Sequence, residues 1–418
     1  VAFGLRGGCD RLSSPITARV GMGTCGTRGP ARYVAAPAPQ CRLAEEKLLK
    51  SLLPQAQVFD TAVELKNFQV SLHSVEVAAP DTSTNEPPLL CLPGYGTGGA
   101  IFVACWKYML DNIFAPHGPL PQRRLIAIDP LGMFLSSRPP WSPSLDVTSA
   151  EEWFVESLEA WCQLRGLAQM DLLGHSIGGN IASAFSERYP ERIRKLILLS
   201  PAGLCREPSD YRQKLRNAPW RIRLMFRLWG RGWSPMRLVR CLPRSRGQRI
   251  CRRTVQRWLG RAASQLDEET QNTLADYIFY GWTEGPESAG RVLSALLHPG
   301  AWGKKPLVER LPQLRGIDSL ELIYGERDWM DVRHGNQVAE AEDASLATVV
   351  QLLMDAGHYA HVETVPAFAK ALLQALSRAN DQPCTCAPIP AGYAARFVNT
   401  PEKPVPKWRS WEGYEFGR

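Results

Sequence analysis

Short apolar runs recur along this chain with helix-length amphipathic segments between them, and that alternation limits the possible folds more than any other feature. The runs fall at residues 88–92, 125–128, 170–173, 196–199, 320–324 and 349–353. Several are apolar throughout, as strands must be when helices cover both faces of a parallel sheet. Residues 70–77 alternate instead, as a strand of an antiparallel pair does. Helical patterns at 150–165 and 180–188 separate the runs. The expected fold class is α/β, with a mostly parallel, doubly wound sheet. A length of 418 residues with 44% hydrophobic content supports one large core with additions. No stretch approaches 18 consecutive apolar residues, so no transmembrane helix is expected.

One segment carries chemistry. Leu172-Leu173-Gly174-His175-Ser176-Ile177-Gly178-Gly179 reads as a strand, then Gly-x-Ser-x-Gly, then a helix. A nucleophile on so sharp a turn needs small neighbours, and the helix start beyond it offers N–H groups to a developing negative charge. Ser176 is therefore the candidate nucleophile. The order of such a triad is Ser, acid, His. His358, in Ala356-Gly357-His358 after the last apolar run, is the candidate base; His175, inside the elbow, is read as structural and His361 as a neighbour of the base. Two acids follow the run at 320–324, Asp328 and Asp331, with Asp328 at the usual position and Asp331 its rival. The backbone N–H of Ile177 and one from the glycine-rich stretch 92–99, with Tyr95 the first candidate, would form the oxyanion hole. Gly94, Gly96, Gly174 and Gly178 would allow the close approach this needs. No Gly-Lys-Ser/Thr ending makes the stretch a phosphate loop. A serine at the elbow argues against Asp-nucleophile dehalogenases and epoxide hydrolases. No metal or cofactor is expected.

The chain resembles the abhydrolase-domain 4/5 subfamily of α/β-hydrolases and the fungal cardiolipin-specific deacylases, from about Ala44 to Ala375. The resemblance rests on Ala44-Glu45-Glu46-Lys47, Asp129-Pro130-Leu131-Gly132, Ser136-Ser137-Arg138-Pro139, Phe154-Val155-Glu156-Ser157, Tyr277-Ile278, the region Trp302-Gly303-Lys304-Lys305-Pro306 and Asp328-Trp329-Met330-Asp331. It implies an α/β-hydrolase fold with a mostly parallel eight-stranded sheet and a helical lid. It also implies hydrolysis of glycerophospholipids, N-acyl phospholipids or cardiolipin. One relative has lost the serine and serves as a lipase co-activator; Ser176 argues against that role here. Three positions depart from the subfamily: Pro93 stands for its usual His, Phe134 for a common Gly, and the His-x4-Asp motif linked to lysophosphatidate acyltransfer reads His358-x4-Glu363.

Charge is distributed unevenly. From Tyr211 to Leu266 there is no Asp or Glu but sixteen Lys and Arg, which leaves 33 basic against 41 acidic residues elsewhere, so the net charge of +8 arises in this one segment. Cations interleave there with bulky apolar groups: Arg221, Arg223, Arg227, Trp229, Arg231 and Trp233 form the expected membrane-facing lid. Each such cation near an anionic surface contributes about 1 kcal/mol. No nucleic-acid motif accompanies them, so the expected partners are a phospholipid or lysophospholipid substrate and an anionic membrane touched peripherally, with no nucleic acid.

The expected organisation is a basic extension over 1–42, the catalytic core over 43–203 and 306–380, the lid insertion over 204–305, and a proline-rich tail over 381–418. The extension is rich in Arg, Gly, Ala, Ser and Thr, which fits an organelle transit peptide or a disordered arm. The expected location is intracellular and peripheral to a membrane, with the mitochondrion first and plastid or lipid droplet as alternatives. The expected activity is that of a serine carboxylic-ester hydrolase of the phospholipase or lysophospholipase type. The alternatives are a lysophospholipid acyltransferase, a lipid-binding adaptor that recruits lipases, and a hydrolase of small soluble esters.

Overall fold

A computed structural model describes residues 32–34, 39–65, 68–78, 86–139, 146–229, 231–232, 235–259, 266–285, 288–342, 344, 346–379 and 383–390. Most of the basic extension, Trp233 and residues 391–418 lie outside them, as does the side chain of Arg221. Eleven strands occur among the described residues: β1 Arg32–Val34, β2 Gln57–Leu65, β3 Phe68–Val77, β4 Leu89–Leu92, β5 Leu125–Ile128, β6 Met170–His175, β7 Ile193–Leu199, β8 Leu297–His298, β9 Trp302–Gly303, β10 Ser319–Gly325 and β11 Thr348–Leu353. Nine form one sheet in the order β1-β3-β5-β4-β6-β7-β10-β11, with β2 on the free side of β3. Within this sheet only the β2–β3 and β3–β5 pairs are antiparallel. The expected eight strands are present, and β1 adds a ninth beside the start of β3.

The central strands are apolar because helices cover them on both sides. Every residue of β4, β5, β6 and β10 is buried. The helix Val147–Leu164 starts where the Asp146 carboxylate accepts from Ser149 N at 2.8 Å, and it buries Phe154, Leu158, Trp161 and Cys162. Their helical spacing makes the stripe that packs inward. At the far edge Thr385 bridges β11: Val350 N donates to its carbonyl and Thr385 N donates to Thr348 O. Such a cover blunts an exposed sheet edge.

Six α-helices lie between β7 and β8 among the described residues: Tyr211–Asn217, Trp220–Trp229, Pro235–Arg240, Arg244–Leu259, Glu268–Thr283 and Ala289–Leu296. Glu268–Thr283 is the anchor. Its N-cap Asp267 accepts from Thr270 N at 2.7 Å. It packs against Arg244–Leu259 on one side and the N-terminal helix Pro39–Leu52 on the other. The latter buries Cys41, Ala44, Leu48 and Leu49, an i, i+3, i+7, i+8 stripe. No described helix is long and apolar enough to cross a membrane.

Candidate active site

The elbow sits at the end of β6. Ser176 has φ 53° and ψ −117°, a conformation an L-residue holds only at a cost of about 1–3 kcal/mol. Its neighbours make that turn fit. A Cβ on Gly174 would come within 2.5 Å of the Gly178 carbonyl oxygen, and one on Gly178 within 2.3 Å of Leu92 O. The stretch 92–99 therefore lies directly against the elbow. A Cβ on Gly94 would fall 3.2 Å from Ser176 Cβ.

That stretch is held from below and above. Asp129, fully buried at the end of β5, accepts from Gly99 N at 2.6 Å and from Leu135 N at 2.8 Å. Burial raises its carboxyl to about 6, while His73 and the two backbone donors oppose the rise. Trp282 of the insertion donates its indole N–H to Gly96 O at 2.8 Å, where Gly96 has φ +85°. Arg138 donates to the carbonyls of Phe134, Gly281 and Glu284 and so ties the same turn to the helix Glu268–Thr283. Beneath Asp129 lies His73, whose Nε2 faces Glu45 at 2.7 Å and whose Nδ1 faces Asp60 at 2.8 Å. Burial opposes its charge, but Glu45 and Asp60 outweigh burial and raise it to about 10. Glu45, Asp129 and Arg138, among the residues that carried the family resemblance, thus belong to the buried frame of the stretch 92–99. Phe134, where the subfamily commonly has glycine, has φ 38°, in the left-handed region. Its ring fits because Gly98 and Gly281 lack side chains: a Cβ on either would come within 2.7 Å of it.

On the other side of Ser176, His358 Nδ1 donates to Asp328 Oδ1 at 2.9 Å, and Asp328 also accepts from Met330 N. That is the arrangement a general base requires, since a ring that donates from Nδ1 can accept at Nε2. Asp331 is occupied elsewhere. It caps the helix Val332–Ala339 by accepting from Arg333 N at 2.9 Å and pairs with the Arg333 guanidinium at 2.6 Å. Among the described residues Ser176 and His358 share no hydrogen bond, a contact that often closes only when substrate is bound.

The loop bearing His358 is clamped by residues whose part composition does not reveal. His175 Nε2 donates to the His358 carbonyl at 2.9 Å. Burial, with His361 and His358 nearby, holds His175 well below the usual histidine range, so it stays neutral as that donor. His361 is fully buried against the His175 ring, 4.7 Å between centroids, and burial followed by His358 lowers it to about 3. Glu363 accepts from Gly357 N at 2.8 Å and from Tyr359 N at 3.0 Å, gripping the backbone on both sides of His358. From the insertion, Trp258 stacks on Tyr359 with centroids 4.3 Å apart. The spacing His358-x4-Glu363 was legible; that its acid serves the main chain was not.

The expected membrane-facing set divides. Arg223, Arg227 and Arg231 are exposed. Trp229 is half-buried and donates its indole N–H to Leu297 O at 3.2 Å, so it faces inward rather than out. Among the described side chains of that helix the exposed large apolar groups are Trp220 and Leu224. The physical reason is helix geometry: Met225, Phe226 and Trp229 share one face, and it is the covered one.

Comparison with known proteins agrees with this fold. Residues 87–229 match the α/β-hydrolase fold family. A probable 1-acylglycerol-3-phosphate O-acyltransferase of Oryza sativa subsp. japonica is 31% identical over 300 residues, 71% of this chain and 68% of that one. A (lyso)-N-acylphosphatidylethanolamine lipase of Mus musculus is 30% identical over 251 residues, 60% of this chain and 68% of that one. Among solved structures, carboxylesterase CesB (YbfK) from Bacillus subtilis superimposes with a TM-score of 0.52 at 17% identity, over 81% of this chain and 97% of that one. The chain belongs to the α/β-hydrolase family, in the branch of (lyso)-N-acylphosphatidylethanolamine lipases and 1-acylglycerol-3-phosphate O-acyltransferases.

Proposed function

We propose that this protein is a serine hydrolase that cleaves acyl esters of phospholipids or lysophospholipids through an acyl-enzyme on Ser176. The observation that carries the proposal is the Asp328–His358 hydrogen bond on a loop that also touches His175, the residue beside the strained serine. His358 Nε2 takes the Ser176 proton as Oγ attacks the ester carbonyl carbon. The N–H groups of Ile177 and Tyr95 receive the oxyanion. Collapse breaks the bond to the glycerol oxygen, which leaves with the proton from His358. Water then repeats the sequence and frees the fatty acid.

The lipid substrate is supported by the activities of the relatives and by the acid-free basic segment, whose exposed Arg223, Arg227, Arg231, Trp220 and Leu224 suit an anionic interface. Peripheral attachment to a membrane rich in anionic lipid, cardiolipin and the mitochondrion included, is part of this reading. A second reading, transfer of the acyl group to a lysolipid, is favoured by the acyltransferase names among the relatives and needs only that a lysolipid hydroxyl replace water. The test is fatty-acid release from vesicles with and without anionic lipid, comparing the protein with Ser176→Ala. Release that needs Ser176 and rises with anionic lipid supports the proposal. Membrane binding by both proteins with no release from either refutes it.

A further inference from the structure

An open cleft of about 490 Å³ lies between the helices Tyr211–Asn217 and Trp220–Trp229, lined by Tyr211, Leu215, Arg216, Arg223, Phe226, Arg227 and Pro299. Three of its lining residues are arginines and none is acidic. Arg223 and Arg227 are four apart on one helix, where like charges oppose each other by a few tenths of a kcal/mol. No carboxylate among the described residues pairs with Arg216, Arg223 or Arg227; of their guanidiniums, that of Arg223 donates from Nη1 to the Arg216 carbonyl at 3.5 Å. Part of the lining is apolar: Phe226 and Tyr211, one from each helix, face each other with centroids 6.1 Å apart.

The cleft is joined to the elbow by direct packing. Tyr211 meets Trp302 edge-on at 4.6 Å. The next residue, Gly303, is so close to Gly203 that a Cβ would fall 2.4 Å from its carbonyl oxygen. Gly203 in turn abuts the side chain of Asn180, in the helix that begins after Ser176.

We infer that this cleft binds the phosphate of the lipid substrate's headgroup, with the guanidiniums of Arg216, Arg223 and Arg227 on its oxygens and the glycerol and first methylenes against Tyr211 and Phe226. Arginine forks suit phosphate oxygens, and the phosphate's negative charge offsets the mutual repulsion of the three cations. The inference rests on the proposed phospholipid activity and adds to it the group recognised and the residues that recognise it. Free inorganic phosphate shares this chemistry; the apolar part of the lining assigns the site to a phosphate that carries a lipid.

The test uses lipids below their micellar concentration, so that membrane attraction plays no part. Calorimetry measures binding of dihexanoyl phosphatidate and of inorganic phosphate to the Ser176→Ala protein, alone and with Arg223→Gln/Arg227→Gln. An equal-charge control, Arg252→Gln/Arg253→Gln, alters exposed arginines on another helix of the insertion. The expected result is phosphatidate binding well above that of phosphate, weakened at least tenfold by the first pair and less than threefold by the control. In the active protein, the first pair also lowers the preference for short-chain lysophosphatidate over the matching monoacylglycerol at least tenfold. Equal loss with both pairs assigns the effect to overall charge and overturns the site, as does equal affinity for phosphate and phosphatidate. If the active protein cleaves neither ester, the hydrolase reading fails while the calorimetry still decides the site.

Discussion

Replacing Glu363 separates two roles for the acid that follows His358. In the structure its two oxygens accept from Gly357 N and Tyr359 N, so the carboxylate holds the backbone on either side of His358, the proposed base. A hydrogen bond to a charged group contributes about 1.5–3 kcal/mol when shielded, and this half-buried pair belongs at the lower end. Glu363→Ala removes both bonds and should cost about 2–4 kcal/mol of folding stability. Glu363→Gln keeps one acceptor but turns an amide N–H₂ toward a backbone donor, for about half that loss. A displacement of the base near 1 Å costs on the order of 10²-fold in rate. Urea unfolding would measure the first effect, and kcat and KM on a water-soluble ester the second. The fall should lie in kcat, with Glu363→Asp recovering much of it. A Glu363→Ala protein with native stability and native ester hydrolysis, but without acyl transfer to lysophosphatidate, would refute the clamp and make the acid a transferase residue.

Other perturbations discriminate as sharply. Asp328→Asn should lower kcat on the order of 10³–10⁴-fold by losing the His358 tautomer, whereas Asp331→Asn should cost under about 1 kcal/mol of stability and leave kcat within a few-fold; reversed kinetic effects would exchange their roles. His73, raised to about 10 in the fold against an ordinary 6.5, contributes stability that is fully present below about pH 6.5 and lost as pH rises through 10. The stability gap between the protein and His73→Gln should therefore shrink over that window in urea titrations, and a gap that widens would contradict the charged Glu45–His73–Asp60 cluster. Phe134→Gly relieves about 1–3 kcal/mol of backbone strain but removes a buried ring worth about 3–5, so a net loss near 2 kcal/mol is expected by chemical denaturation. A gain in stability would mean that strain dominates there.

What could be read from the sequence was what burial and turn geometry dictate. Strands β4 to β7, β10 and β11 were legible because strands covered on both faces must be apolar throughout. The elbow was legible because glycines at 174 and 178 are forced by carbonyl oxygens within 2.5 Å of where a Cβ would stand. β1 was not: Arg32-Tyr33-Val34 is too short to show a period, and only its pairing with β3 makes it a strand. The direction of Trp229 was misread because a Trp among arginines resembles an interfacial residue, while its indole N–H had a carbonyl to meet inside. Glu363 and Trp258 were hidden for a related reason. One serves main-chain N–H groups, which have no side-chain signature, and the other meets Tyr359 across about a hundred residues of chain.

The acyl-enzyme itself tests the central claim most directly. The protein would be mixed with a short-chain phosphatidylglycerol, quenched in acid within milliseconds to seconds, and digested for mass spectrometry. The expected result is one acyl group on the peptide that contains Ser176, decaying as free fatty acid appears, with neither adduct nor fatty acid in Ser176→Ala. Fatty acid released at the native rate by Ser176→Ala, or an adduct at another residue, would contradict a mechanism built on Ser176, His358 and Asp328.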